Sequence, residues 1–181
     1  QMVKLSRGGK PVKMSKRSGD FVTLREVVDE VGRDVVRFIM LTRKNDAPLE
    51  FDFDKAVEQT QDNPVFYLQY AHARGRSVFR KAAAEMPDAD LSPAALAEAD
   101  IGRLVHPGEI AVIKRIAEWP GVVEAAALAH EPHRIAYYLH DVAASFQSHW
   151  TLGNRERSLR FLVPEDRALS FARLALIQGV L

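Results

Sequence analysis

The sequence predicts a mainly α protein: a helical bundle preceded by a small β-containing loop region. Three observations predict it. Apolar residues recur at helical spacing through most of the chain after Leu24. Prolines stand where helices begin, at Ser92-Pro93, Pro132 and Pro164. Paired glycines flanked by short apolar runs are confined to the first dozen residues.

Met2-Val3-Lys4-Leu5 and Val12 flank Gly8-Gly9 and read as two short strands around a turn, with Phe21-Val22 as a third extended piece. Thr23 and Glu26 have capping-box spacing and start a helix over Leu24–Val31 that stops at Gly32. A second helix covers about Asp34–Arg43, and residues 45–52 read as a loop around Pro48. Asp54 is the expected N-cap of a long helical stretch from Lys55 to about Met86. Pro64 inside that stretch requires a kink or a break into two helices, because its ring removes a backbone donor and disfavours helix at Asn63. A polar linker follows at 86–91, then a short alanine-rich helix from Pro93. A helix over Glu109–Glu118 is expected to turn Ile110, Ile113 and Ile116 inward. Further helices start at Pro120 and Pro132, the latter running to about Leu152. Gly153-Asn154 reads as a loop, and Pro164-Glu165-Asp166 as an acidic first turn of the last helix.

The bulk numbers narrow the function. A length of 181 residues suits one domain or two small ones, and 47% hydrophobic with 27% charged residues is a globular composition. With a net charge of +1, any nucleic-acid surface must be a local patch. The absence of cysteine excludes disulfides and thiolate metal sites and is compatible with a reducing cytoplasm. No apolar run approaches the ~20 residues of a membrane span, so a cytoplasmic chain without a membrane partner is expected.

Two stretches carry chemistry. Gly8 to Gly19 holds Lys10, Lys13, Lys16 and Arg17 with no acid among them. Lysine ammoniums act as point charges on phosphate oxygens, and Ser15 adds a neutral donor, so the run suits a polyphosphate. It is no P-loop, because Pro11 follows Gly9-Lys10 where that motif needs Ser or Thr. A solvated basic turn is the competing reading. The second stretch is Asn63-Pro64-Val65-Phe66-Tyr67-Leu68-Gln69-Tyr70-Ala71-His72-Ala73-Arg74. Tyr67, Tyr70 and Arg74 recur at i, i+3 and i+7 and share a helix face. Such a face can stack on splayed RNA bases and hold phosphate, or serve as a core stripe with hydroxyls at its rim.

The spelling of both stretches weighs between these readings. Lys13-Met14-Ser15-Lys16-Arg17 resembles the KMSKS signature of class I aminoacyl-tRNA synthetases. The run from Asn63 to Arg74 resembles the opening of the anticodon-binding domain of arginyl-tRNA synthetases, and Gly32 to Phe38, Phe51 to Asp54 and Glu131 to Leu139 fit the same family. The resemblance implies a division into residues 1–54, the end of a class I catalytic domain with its stem-contact helices, and 55–181, an all-helical DALR-type anticodon-binding domain. It implies a carboxy-terminal fragment, inactive alone, since the family's HIGH motif and nucleotide fold should precede residue 1.

As the resemblance has it, the intact enzyme joins arginine to an arginine-accepting tRNA with ATP as substrate, works as a monomer, and leaves Mg2+ on the ATP rather than on this part. Lys13 and Lys16 would meet the charge on the leaving pyrophosphate, with Ser15 a further ATP contact and Met14 packing the loop against the body. Tyr67, Tyr70 and Arg74 would face the anticodon loop, the effect of Arg74 shrinking as salt screens its phosphate contact. Trp150, after Phe146, reads either as a stacking platform or as a core tryptophan. His130, His133 and His140 lack a continuous helix across Pro132 and a completing carboxylate, so no metal site is expected. The alternatives are another class I synthetase, such as the cysteine enzyme, and a free-standing RNA-binding helical module.

Overall fold

The computed structural model describes residues 2–14 and 21–181. The chain divides into two compact units, Gln1–Tyr67 with Gly121–Tyr138 and Leu68–Pro120 with Leu139–Leu181.

In the first unit a three-stranded sheet runs in the order β2-β1-β3, with β1 at Val3–Arg7, β2 at Lys10–Pro11 and β3 at Leu49–Asp52. β1 and β2 form the expected hairpin, Arg7 opposite Lys10. Its turn needs positive φ at both central residues, and Gly8 and Gly9 supply 56° and 75°. β3 lies parallel to β1, with Val3 opposite Leu49 and Ser6 opposite Asp52. This corrects the reading of 45–52 as a loop. Leu49 and Phe51 are buried and Glu50 faces out, but four residues are too few for alternation to declare itself without the distant partner. Phe21-Val22, by contrast, stays outside the sheet.

Helices α1 (Leu24–Val31), α2 (Arg33–Leu41) and α3 (Phe53–Val57) complete this core. Thr23 and Glu26 close the predicted capping box. Val27, Val31, Val36, Phe51, Phe53 and Ala56 are buried together. The rings of Phe51 and Phe53 meet edge to face at 5.5 Å. Asp52, not Asp54, caps α3: its carboxylate accepts from the backbone N–H groups of Asp54 and Lys55.

The long stretch after Lys55 resolves into two helices. α4 spans Pro64–Glu85 with Pro64 in its first turn, where the missing donor costs nothing. Asn63 stitches the break: its amide donates to the carbonyls of Lys55, Ala56 and Glu58, and its side-chain oxygen accepts from Val65 and Phe66.

The remaining helices are α5 (Pro93–Ala97), α6 (Pro107–Ala117), α7 (Trp119–Leu128), α8 (His133–Arg155) and α9 (Arg167–Val180), with single 3-10 turns at Ile101–Arg103 and Arg157–Leu159. Ser92 caps α5 as expected. In the second unit α9 packs on α5 and α6, burying Leu104, Val112, Ala172 and Leu176. α6 turns Val112 rather than Ile110 to the core, and Ile110 is exposed. Glu109, on the same helix face as Val112, Ile113 and Ile116, is buried against Arg173 of α9. Gly153-Asn154 belongs to the last turn of α8, not to a loop. The acidic residues at 165–166 precede α9, where Asp166 is the N-cap, instead of forming its first turn.

Candidate nucleic-acid interface

α4 and α8 together build the surface of interest in the second unit. α4 stays helical through Gly75, where a Cβ would come within 2.9 Å of the Leu181 side chain. Just before that glycine it carries Tyr70 and Arg74. α8 carries Phe146, Gln147 and Trp150, and Phe146 is the buried root of that set.

Arg74 is the centre. Its guanidinium carbon lies 4.2 Å from the centroid of the Tyr70 ring and 4.9 Å from that of Trp150. Nη2 donates to the Tyr70 hydroxyl at 2.8 Å, and Nη1 donates to the side-chain oxygen of Gln147. Tyr70 is 40% exposed, so the cluster reaches solvent. Trp150 is half-buried, its ring 6.0 Å from both Phe146 and Phe161.

Beside Trp150 opens a cleft of about 270 Å³ lined by Ser77, Val78, Lys81, Trp150, Asn154 and Arg160 among others. One wall is aromatic, two polar side chains stand in it, and two cations sit at its edge. Lys81 pairs with Glu85 at 3.6 Å, and Arg160 Nε donates to the Gly153 carbonyl. An exposed ring over a guanidinium, next to a cleft with a cationic rim, can stack bases and hold a phosphodiester chain.

On the same helix as Trp150, His149 is buried, and among the described residues neither of its ring nitrogens has a hydrogen-bond partner. Burial pushes its pKa down from the ordinary histidine value, opposed by the Glu109 carboxylate.

Of the expected site residues, Tyr70, Arg74 and Trp150 are brought together. Tyr67 lies half-buried at the end of the first unit. Trp150 is half-buried and lines an open cleft. Gln147 was missed; its only signal was its place beside Phe146, three residues before Trp150, on the same helix.

Lys13 is exposed just beyond β2. Met14 is 49% exposed rather than packed. Ser15, Lys16 and Arg17 lie outside the described residues. The hairpin leading to them is tied down by Asp52, whose carboxylate accepts from the Gly9 N–H at 2.7 Å and the Ser6 hydroxyl at 3.1 Å. The Gly9 N–H, helped by those of Lys55 and Asp54 and by Ser6, holds the Asp52 pKa down at about 2.

Among the described residues no three or more His, Asp or Glu side chains are placed to hold a metal ion. His133 is buried edge-on to Tyr137, His130 occupies a turn at φ 53°, and His140 is exposed. No helix of the described residues is long and apolar enough to cross a membrane.

Comparison with known proteins places the chain in a family. The DALR anticodon binding domain family matches residues 68–181. The chain is 65% identical over 177 residues to an arginine–tRNA ligase of Beijerinckia indica, covering 98% of this chain and 30% of that protein. It is 62% identical over 180 residues to the arginine–tRNA ligase of Rhizobium meliloti, covering 99% of this chain and 31% of the relative. The chain thus spans about 30% of the length of the curated relatives it matches. A crystal structure described as an arginyl-tRNA synthetase of Campylobacter jejuni superposes with a TM-score of 0.71 at 28% identity, covering 99% of this chain and 37% of that one. The arginyl-tRNA synthetase of Thermus thermophilus shares the fold, with a TM-score of 0.67 at 23% identity over 97% of this chain and 31% of that one. With a family match over most of its length, the chain belongs to the DALR anticodon binding domain family.

Proposed function

We propose that this chain works as part of an arginine–tRNA ligase and grips the anticodon stem-loop of an arginine-accepting tRNA. The observation that carries the reading is the solvent-reaching cluster of Tyr70, Arg74 and Trp150, within the residues that the family matches. Tyr67 extends the same helical run toward the residues before it. Rings stack on unpaired bases at ~1–3 kcal/mol each, and neighbouring cations hold the backbone.

Residues 1–54 are proposed as the end of the catalytic domain and 55–181 as the anticodon-binding domain. In the first, Lys13 and Lys16 meet the charge that develops on pyrophosphate as ATP and arginine form the adenylate, and Ser15 contacts ATP. Positive groups aimed at transition-state charge supply electrostatic stabilisation that substrate binding alone does not. Mg2+ travels with the ATP. The enzyme acts as a cytoplasmic monomer.

The test is binding of fluorescently labelled arginine tRNA by the chain, against the same tRNA with a swapped anticodon. The reading expects tighter binding of the arginine tRNA, lost when Tyr70→Ala and Trp150→Ala are combined. Equal binding of both tRNAs overturns it.

A further inference from the structure

The guanidinium of Arg74 is already engaged. Its central carbon lies over two rings, 4.2 Å from the Tyr70 centroid and 4.9 Å from that of Trp150. Two of its nitrogens donate to partners inside the same cluster, the Tyr70 hydroxyl and the Gln147 side-chain oxygen. Gln147 is 8% exposed and sits on α8, one helix away from Arg74. A buried amide oxygen needs a donor, and removing that donor costs the desolvation of the orphaned group. The acceptor therefore fixes where the guanidinium lies, and the guanidinium fixes the two rings.

We propose that Arg74 and Gln147 are positioning residues of the RNA surface: Gln147 holds the Arg74 guanidinium against Tyr70 and Trp150, and so sets the two rings at the spacing at which they stack on RNA bases. Arg74 acts through the rings and makes no phosphate contact of its own. This departs from the simpler expectation that Arg74 bonds phosphate, and it rests on the RNA-gripping reading above.

The chemistry separates the two roles. A phosphate contact needs charge, which lysine keeps. A positioning role needs a planar fork that stacks on rings and donates in its own plane, which lysine lacks. Gln147 carries no charge, so its substitution leaves a phosphate contact intact and disturbs only the arrangement.

The test uses the full chain with arginine tRNA over a range of salt concentrations. Arg74→Lys is expected to weaken binding by roughly tenfold, about the loss of one base stack. Gln147→Met, of similar shape but without the oxygen, weakens it by the same factor at low and high salt. Gln147→Glu keeps an acceptor for Arg74 and restores affinity to within about threefold of the parent chain. Wild-type affinity in Arg74→Lys, or an unaffected Gln147→Met, overturns the proposal.

A second readout needs no RNA. In a Trp119→Phe background, leaving Trp150 as the only indole, Arg74→Met is expected to shift the emission of Trp150 and raise its quenching by acrylamide. An unchanged spectrum overturns the proposal even where binding falls. Failure of the parent chain to bind any tRNA overturns the function reading instead, and the emission experiment still decides whether Arg74 sets the ring.

Discussion

Glu109 on α6 and Arg173 on α9 form an ion pair at 2.6 Å with side chains only 1% and 3% exposed. Nη1 of Arg173 also donates to the carbonyls of Ser158 and Arg160, and the second carboxylate oxygen of Glu109 accepts the backbone N–H of His106. One buried charge pair thus ties two helices, a helix cap and the 157–159 turn. Breaking a buried pair from one side leaves an uncompensated charge, which costs ~3–5 kcal/mol. Glu109→Ala is expected to lower stability by about that much in urea denaturation. Replacing both residues, Glu109→Leu with Arg173→Met, is expected to cost less than the single change, because no charge is stranded. A double variant weaker than Glu109→Ala contradicts this account.

Asn63 joins α3 to α4 by hydrogen bonds at both of its side-chain ends. Its three acceptors are carbonyls at the end of α3, the nearest at 2.7 Å, and its donors are the first N–H groups of α4. Substitution leaves several buried backbone groups without partners at once. Asn63→Ala is expected to destabilise by ~2–3 kcal/mol, more than an ordinary N-cap loss of ~1 kcal/mol. Asn63→Asp, which keeps the acceptor and loses the donor amide, should also be destabilising. Thermal melts of the two variants check both statements.

His149 and Asp52 make stability depend on pH in different windows. Burial depresses the His149 pKa, so the folded state favours the neutral ring. Below the unfolded value of about 6.5 the unfolded chain binds the extra proton, and stability falls as pH is lowered. His149→Phe is expected to flatten the loss between pH 7 and 5 seen by urea denaturation. Asp52 is held down at about 2, so its contribution is present above an unfolded pKa of about 3.9 and disappears between there and pH 2. Asp52→Asn is expected to flatten that lower window and leave the upper one unchanged. A pH profile of His149→Phe parallel to the parent contradicts the first assignment.

The lysines of the basic loop are expected to act on chemistry rather than on RNA. In an arginine–tRNA ligase that carries this chain, Lys13→Ala and Lys16→Ala should each slow ATP–pyrophosphate exchange by roughly 100- to 1000-fold. The affinity for tRNA should stay within about twofold, since the proposed grip lies elsewhere. Loss of tRNA binding with unchanged exchange reverses the assignment.

Several features that depend on near neighbours were legible in the sequence. Thr23 with Glu26, Ser92 with Pro93, and Gly8-Gly9 announce their caps and turn because each partner lies within a few residues. Helical spacing put Tyr70 and Arg74 on one face, and the spelling of residues 13–17 and 63–74 pointed to the family. What lay hidden depends on partners far along the chain. β3 exists because β1 lies beside it, 46 residues earlier. Asp52 is a hub because the Gly9 turn folds back onto it.

Composition, cap chemistry and periodicity by themselves determined a helical protein with a basic hairpin in front and an aromatic helix face behind. Only the tertiary structure decided that α8 delivers Gln147 and Trp150 to Arg74, that Glu109 rather than Ile110 faces α9, and that Gly153 belongs to a helix. At Gly153 a Cβ would meet the Leu159 carbonyl oxygen at 3.0 Å, so a larger residue there presses on the returning backbone. The physical reason is common to all three. Helical spacing tells which residues share a face, but a face acquires its role from the charge, ring or backbone that packs against it, and those come from elsewhere in the chain.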